Sequence, residues 1–384
     1  MVNKTDRKRS DAAIEAFHKY YSSPTLWSSS RWDTTLFAAL SRPVKYAMVI
    51  NPFVKEFHPL DDLCPLDLPR PPPTTTPTNP ITTPLHSRVF THPPSSSDNP
   101  SPAPTTHLLP QPQPLPSTVS PSTPLSSHYN LDAASLLPVL LLSPHPGDRI
   151  LDLCASPGGK SLLIGQTLFA PPSHPSHSDG ALHSNEPHPA RHARLVRNLE
   201  GYFPSNLLGE GKVRALKLDG AGGEFVSKAP VPMGGYDKVL LDAPCSSERH
   251  VVQSHVNAQR SGGVSADMLG FRTGTAGKKT IVRLQGELLM NALRVCRVGG
   301  RVVYSTCSID RLENEGVVKG VMEKVGKGKS GFGVEVVEMD GVVEGLDEWS
   351  ERCEVGRICL PDHGEGGGHG WGPIYFCVLT KVAA

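Results

Sequence analysis

Two spacings of apolar residues divide this chain. Near the start, AAIEAFHKYY sets Ala12, Ile14, Phe17 and Tyr21 close to helical spacing. TTLFAALSRPVKYAMVINPF, after Trp32, predicts more helix, so residues 12–58 read as two or three helices. From Tyr129 the pattern changes. ASLLPVLLL predicts an apolar helix, and a Pro146-Gly147-Asp148 turn leads into a buried strand over 149–153. SLLIGQTL predicts a helix, ALHSNE a strand, PARHARLVRNLEGY a helix, and VRALKLD a strand ending at Asp219. YDKVLLDAP predicts another strand. A Gly/Ser-rich loop over 252–279 then leads to the helix TIVRLQGELLMNALRVC, a Gly299-Gly300 turn, the strand RVVYSTCS and a closing strand, IYFCVLTKV. Alternating strand and helix predicts an α/β domain, a parallel sheet with helices on both faces.

Between these regions, 65–127 is dominated by Pro, Ser and Thr and cannot bury enough apolar surface to order itself. The expected organisation is a helical N-terminal region (1–64), a disordered insert (65–127) and the α/β domain (128–384). In such sheets ligands bind beyond the carboxyl ends of the strands, where strand order reverses. Asp152, Glu186, Asp219, Asp242, Cys245 and Cys307 all fall at or just after predicted strand ends, so they should line one rim.

The turn Cys154-Ala155-Ser156-Pro157-Gly158-Gly159-Lys160 follows the first of these strands. Gly158 and Gly159 permit close backbone approach, and the next helix presents its positive N-terminus. The turn is neither GxGxxG nor a P-loop, so a ligand carrying a carboxylate and an adenosine suits it better than a dinucleotide or a triphosphate. Glu186 is placed to accept ribose hydroxyls, and Asp219 to accept the adenine amino group. Cys245 and Cys307 each follow an apolar strand and are flanked by hydroxyl residues, which favours thiol chemistry. Cys296, Cys353 and Cys359 read as small core residues.

Composition narrows the reading. Formal net charge is +1, so any polyanion must be met by local basic patches and not by overall charge. The run Lys278-Lys279, with Arg272 and Arg283, reads as a solvated loop, with phosphate contact as the alternative. The eight cysteines include no CxxC pair, and His174, His177, His183, His188 and His192 lie among Pro, Ser and Asp. Neither pattern fixes a metal site. No apolar run reaches the ~18 residues of a spanning helix, and no membrane partner is expected. The N-terminus has Lys4, Arg7, Lys8 and Arg9, but Asp6 and Asp11 argue against a transit peptide.

Together, LDLCASPGGK, HSNEPHPARHARLVRNL, KLDG, LLDAPCSSERH, GGRVVYSTCSIDRLENE and GPIYFCVLTK resemble the Sun-domain RNA 5-methylcytosine methyltransferases over most of 129–380. FHKYYSSPTLWSSSRWDTTLFAALSRPVKYAMVINPF is similar to the helical region preceding their catalytic domain. HYNLDAASLLPVL and Glu248-Arg249-His250 resemble the branch acting on mitochondrial small-subunit ribosomal RNA. The resemblance implies a Rossmann-like fold, S-adenosyl-L-methionine as methyl donor and a cytosine in RNA, ribosomal RNA first, as acceptor. It assigns the turn 154–160, including Gly158, Gly159 and Lys160, to the methionine end. Glu186 and Arg191 fall on the ribose side, Asp219 and Gly220 border the adenine, and Asp242 faces both donor and base. Cys307 is implied as the nucleophile adding to cytosine C6, with Cys245 assisting release; Lys160 can favour the Cys307 thiolate.

The loop 252–279 and the segment PDHGEGGGHGWGP depart from the family pattern. Near-neutral charge implies reliance on ribosome structure or a protein partner for RNA affinity. The branch implies a mitochondrial address, while the missing transit pattern leaves cytoplasm or nucleus open. The alternatives are the same chemistry on transfer RNA, a non-catalytic scaffold for RNA or ribosome assembly, and a DNA cytosine methyltransferase in which Cys245 would be the nucleophile.

Overall fold

The computed structural model describes residues 4–54, 63–70, 88–91, 124–170, 179–340, 343–364 and 370–384. The chain starts with helix α1 (Lys4–Tyr21), a short helical run from Ser29 and helix α2 (Phe37–Ser41). Helix stops there because Arg42 precedes Pro43 and takes an extended conformation. The second predicted helical stretch therefore needs correcting. Its end, Ala47–Ile50, is strand β1, which pairs antiparallel with two others. One partner is β3 (Val89–Thr91), itself flanked by β2 (Cys64–Pro65); the other is β4 (His128–Leu131). Two pieces of the stretch expected to be disordered are thus strands, and the rest of it lies mostly outside the described residues. The four-stranded sheet β2-β3-β1-β4 also crosses the expected boundary at 128.

The second half is the predicted α/β unit. Helix α3 (Leu137–Leu142) precedes β5 (Arg149–Asp152); α4 (Gly159–Phe169) leads to β6 (Ala181–Asn185), and α5 (Pro189–Tyr202) to β7 (Val213–Leu216). Then come β8 (Tyr236–Asp242), α6 (Glu248–Arg260), α7 (Gly274–Val295), β9 (Cys296–Thr306) and α8 (Glu315–Lys324). The chain closes with β10 (Gly333–Val336), β11 (Glu351–Arg352), β12 (Arg357–Cys359) and β13 (Ile374–Val382). Strand order is β11-β12-β13-β9-β8-β5-β6-β7, with β10 on β13. Strands β7, β6, β5, β8 and β9 are mutually parallel; the closing strands are antiparallel. Order reverses between β5 and β8, where a doubly wound sheet opens its crevice.

Both sheet faces are covered, which explains the unbroken apolar runs. Leu151, Val239, Leu241, Val302 and Tyr304 face a core with Leu288, Leu289 and Leu293 of α7. Ile150, Leu240 and Val303 face the opposite core, with residues of α3, α4 and α5. The first core also takes in Phe17, Tyr21, Trp27 and Trp32 from the N-terminal region.

The loop expected over 252–279 also needs correcting. Glu248–Arg260 is helical, a short helix spans Ala266–Gly270, and α7 begins at Gly274. Val251, Val252 and His255 make the buried side of α6, a spacing masked by the Gly/Ser cluster that follows. Strand β7 ends three residues before Asp219, so that residue sits on a loop.

Phe17 is fully buried, with its ring 4.8 Å from Tyr21, 5.9 Å from Trp32 and 4.9 Å from Phe271. Phe17→Ala is expected to lower stability by about 3–5 kcal/mol in denaturant titration, with one unfolding transition for the whole chain. A loss below about 1 kcal/mol would mark α1 as a loosely docked appendage.

Candidate active site

The glycine turn sits between the end of β5 and α4. Gly158 has φ of +122°, a conformation that glycine alone adopts without strain. A Cβ on Gly159 would lie 2.9 Å from Cε1 of Tyr129, so the aromatic ring is packed directly on the turn. Tyr129, Asn130, Leu131 and Ser135 form one wall of a cavity of about 240 Å³. Cys154, Ala155, Ser156, Pro157, Gly159, Lys160, Asp152 and Asp242 form the other. Most of the expected methionine-end residues and Asp242 are thus brought to one cavity, and Gly158 caps the helix beside it.

Lys160 Nζ lies 2.7 Å from Oδ2 of Asp242, and Ser305 Oγ donates to the other carboxylate oxygen at 2.8 Å. This follows from strand register, since Asp242 is opposite Ser305 across β8 and β9. Asp152 is buried and accepts from Ser161 Oγ at 2.7 Å, while its Oδ1 has no hydrogen-bond partner. Burial pushes its carboxyl up to about 7.

Glu186, Arg191, Asp219 and Gly220 lie on the same rim but outside the lining of that cavity. Glu186 accepts the His188 N–H at 2.9 Å and lies 3.1 Å from the Arg191 guanidinium. Asn185 braces the strand ends: its amide donates to the carbonyls of Leu153 and Leu218 and accepts the Leu218 N–H. Asp219 is exposed, and its side chain accepts the Ala221 N–H at 3.1 Å. Gly220 is buried; a Cβ there would lie 3.0 Å from both Leu153 and Leu288.

The two cysteines, 62 residues apart in sequence, meet with their sulfurs 3.1 Å apart. Both are free thiols, and the separation exceeds the ~2.05 Å of a disulfide. Ser247 Oγ is 3.1 Å from Cys307 and 3.4 Å from Cys245. Cys307 is the exposed member. The hydrogen bond from Cys245, aided by Ser247, holds the Cys307 thiol below its ordinary value, against the negative charges of Asp242 and Glu248. The same bond, together with burial, drives Cys245 well above its ordinary value. A thiol donating to a thiolate stabilises the acceptor as an anion and keeps its own proton.

The expected solvated Lys278 also needs correcting. Its side chain is buried between Glu248, Asp310 and Glu313, while Lys279 next to it is exposed. These three carboxylates, and Ser247 and Ser305 at the thiols and Asp242, were not found from sequence. The usable signal was their place in motif flanks: Ser246-Ser247-Glu248 after Cys245, and Asp310 to Glu313 after Cys307. Cys296 and Cys359 are buried as expected, and Cys353 is partly so.

With iodoacetamide near neutral pH, Cys307 is expected to alkylate about tenfold or more faster than Cys245 by peptide mass spectrometry. Cys245→Ala removes the donor that favours the thiolate, so Cys307 labelling should slow. Equal labelling of both cysteines in the wild type would remove the electrostatic distinction between them.

The family model described as 16S rRNA methyltransferase RsmB/F matches residues 139–341. A mitochondrial tRNA (cytosine(34)-C(5))-methyltransferase of Danio rerio is 36% identical over 67% of this chain and 62% of its own length. The 5-cytosine rRNA methyltransferase NSUN4 of Xenopus laevis is 34% identical over 67% of this chain and 57% of its own length. The alignments thus span about three fifths of these relatives. The crystal structure of NSun6 from Pyrococcus horikoshii with SFG has a TM-score of 0.59 at 17% identity, covering 96% of this chain and 98% of that one, and shares the fold. Since the family model covers more than half of its length, the chain belongs to the 16S rRNA methyltransferase RsmB/F family, whose members depend on S-adenosyl-L-methionine.

Proposed function

We propose that this protein methylates C5 of a cytosine in RNA, with ribosomal RNA as the substrate class. The observation that carries the reading is the contact of an exposed, acidified Cys307 with a proton-retaining Cys245, three residues along the chain from Asp242 of the Lys160–Asp242 ion pair. The family description and the NSUN4 relatives support ribosomal RNA. Transfer RNA is the second reading, favoured by the printed name of the Danio rerio relative.

The cavity fits the methyl donor. Backbone N–H groups at the start of α4 suit a carboxylate, and the unpartnered, buried Asp152 Oδ1 with Asp242 suits positive charge. We assign Cys154, Ala155, Ser156, Pro157, Gly158, Gly159, Lys160 and Asp242 to the methionine end, Glu186 and Arg191 to the ribose side, and Asp219 and Gly220 to the adenine. When bound, S-adenosyl-L-methionine supplies an electrophilic methyl group.

Cytosine C5 is a poor nucleophile until C6 is occupied. The Cys307 thiolate adds to C6, and N3 gains a proton through Asp242, with the Lys160 ammonium as its source. The resulting enamine makes C5 nucleophilic. Once C5 carries the methyl group, its proton passes to water, N3 returns its proton through Asp242 to the Lys160 amine, the C5=C6 bond re-forms and Cys307 leaves as thiolate. Cys245, touching the Cys307 sulfur, is placed to assist that release. A base inside a stem must first be flipped out, at a few kcal/mol. A mitochondrial address belongs to this proposal, supported by the printed location of the Danio rerio and Mus musculus relatives. A protein partner that adds RNA affinity fits the near-neutral charge.

Incubated with the donor and cytosine-bearing ribosomal RNA fragments, Cys245→Ala should accumulate a protein–RNA adduct on denaturing gels and Cys307→Ala none. The reverse pattern would move the nucleophile to Cys245 and bring DNA-type chemistry forward. Gly158→Ala should weaken donor binding about tenfold or more by calorimetry, because a Cβ strains the turn at positive φ. Unchanged donor affinity would detach the turn from the donor site.

A further inference from the structure

Strand register alone brings the two cysteine loops side by side; it does not fix their sulfurs in contact. Behind the loops, Lys278 Nζ lies 2.9 Å from Glu248, 2.9 Å from Asp310, 2.7 Å from Glu313 and 2.8 Å from Ser246 Oγ. The lysine side chain is 2% exposed and the three carboxylates are fully buried. Their oxygens fall within 4.8 Å of one another, with the ammonium bonded to all three.

Each carboxylate acts on a cysteine loop. Glu248 accepts the Ile309 N–H at 3.0 Å and Ser308 Oγ at 3.2 Å, immediately after Cys307. It also accepts Ser246 Oγ, next to Cys245. Glu313 accepts the Ser246 N–H at 3.0 Å and shares the single Ser246 hydroxyl proton with Glu248. Asp310 accepts the Leu312 N–H at 2.9 Å, closing the turn beyond Cys307. The N-terminal helix enters the same cluster. Tyr21 donates to Glu248 at 2.6 Å, Tyr20 donates to Asp310 at 3.0 Å, and beyond α1 Trp27 Nε1 donates to the Ile309 carbonyl at 3.1 Å.

We propose that Lys278, with Tyr21 of α1, is a positioning apparatus for the thiol pair, so that α1 is part of the catalytic centre. This rests on the reading of Cys307 as nucleophile. Lys278 neutralises the carboxylates that clamp both loops, and so shields Cys307 from negative charge. The charged and titratable groups facing Cys307 are Cys245, Asp242, Lys160 and Glu248, with the Ser247 hydroxyl. Glu248 already works against the thiolate. An unneutralised Glu248 would work harder, and a loosened Ser246 loop would withdraw the Cys245 and Ser247 donors.

The test uses full-length wild type, Lys278→Met and Tyr21→Phe, following Cys307 alkylation against pH by peptide mass spectrometry alongside thermal melting. Lys278→Met is expected to raise the Cys307 midpoint by about half a pH unit or more. Tyr21→Phe should move it less, in the same direction. Methyl transfer should fall about tenfold in kcat for Lys278→Met, with donor affinity within about twofold of wild type. If both variants melt lower but keep the Cys307 midpoint, the cluster is purely structural and the proposal is overturned. If Lys278→Met does not fold, an unmoved midpoint in Tyr21→Phe overturns it equally. A shifted midpoint in a protein whose wild type methylates no RNA would keep the positioning role and sink the substrate reading.

Discussion

The Lys278 ammonium is the interaction on which the geometry around the thiols depends. Burying three carboxylates carries a desolvation penalty of several kcal/mol per ion unless each finds a counter-charge and hydrogen bonds. Here they share one ammonium and take further donors from Tyr20, Tyr21, Ser246, Ser308, Gln285 and the backbone of Ser246, Ile309 and Leu312. The donors come from α1, α7 and both cysteine loops. None of these elements can shift alone without stranding a buried charge, and that restraint holds the sulfurs in contact at 3.1 Å. Removing one partner of such a cluster typically costs about 3–5 kcal/mol, comparable with a large share of a domain's net stability.

The sheet contributes a different kind of constraint. Reversal of strand order between β5 and β8 leaves the ends of both strands facing an open crevice. Asp152 and Asp242 end those strands, and the glycine turn and Pro244-Cys245 follow them. Thr306, at the end of the neighbouring β9, delivers Cys307. The cavity beside the glycine turn and the thiols are therefore two parts of one rim. Asp242 is their common member, tied to Lys160 on the cavity side and to Ser305 on the thiol side.

This division explains what could be read in the sequence. Buried parallel strands appear as apolar runs, and the polar residue that ends each run marks the rim. That made the turn 154–160, Asp242, Cys245 and Cys307 legible. Lys278 was not. In sequence it is one of two lysines in a Gly-rich stretch, and its partners lie 30, 35 and 257 residues away. No local pattern distinguishes it from the exposed Lys279 beside it. Strand β1 failed for a related reason: AMVI suits helix or strand, and its strand partners come from residues 89–91 and 128–131. Helix α6 was readable from Val251, Val252 and His255, but the Gly/Ser cluster after it drew the whole segment into a loop.

The thiol pair itself carries an asymmetry that identical residues do not suggest. Two thiols in contact cannot both ionise cheaply, so one proton stays between them. Cys307 has the greater exposure and the shorter contact to Ser247, and its thiol is the one held below its ordinary value. Cys245, recessed behind it, is driven well above its ordinary value. In the proposed reaction, a Cys307 sulfur bonded to carbon no longer needs that hydrogen bond, and the Cys245 thiol is left beside the ring. On that reading, the contact that prepares Cys307 releases Cys245 only after Cys307 has reacted.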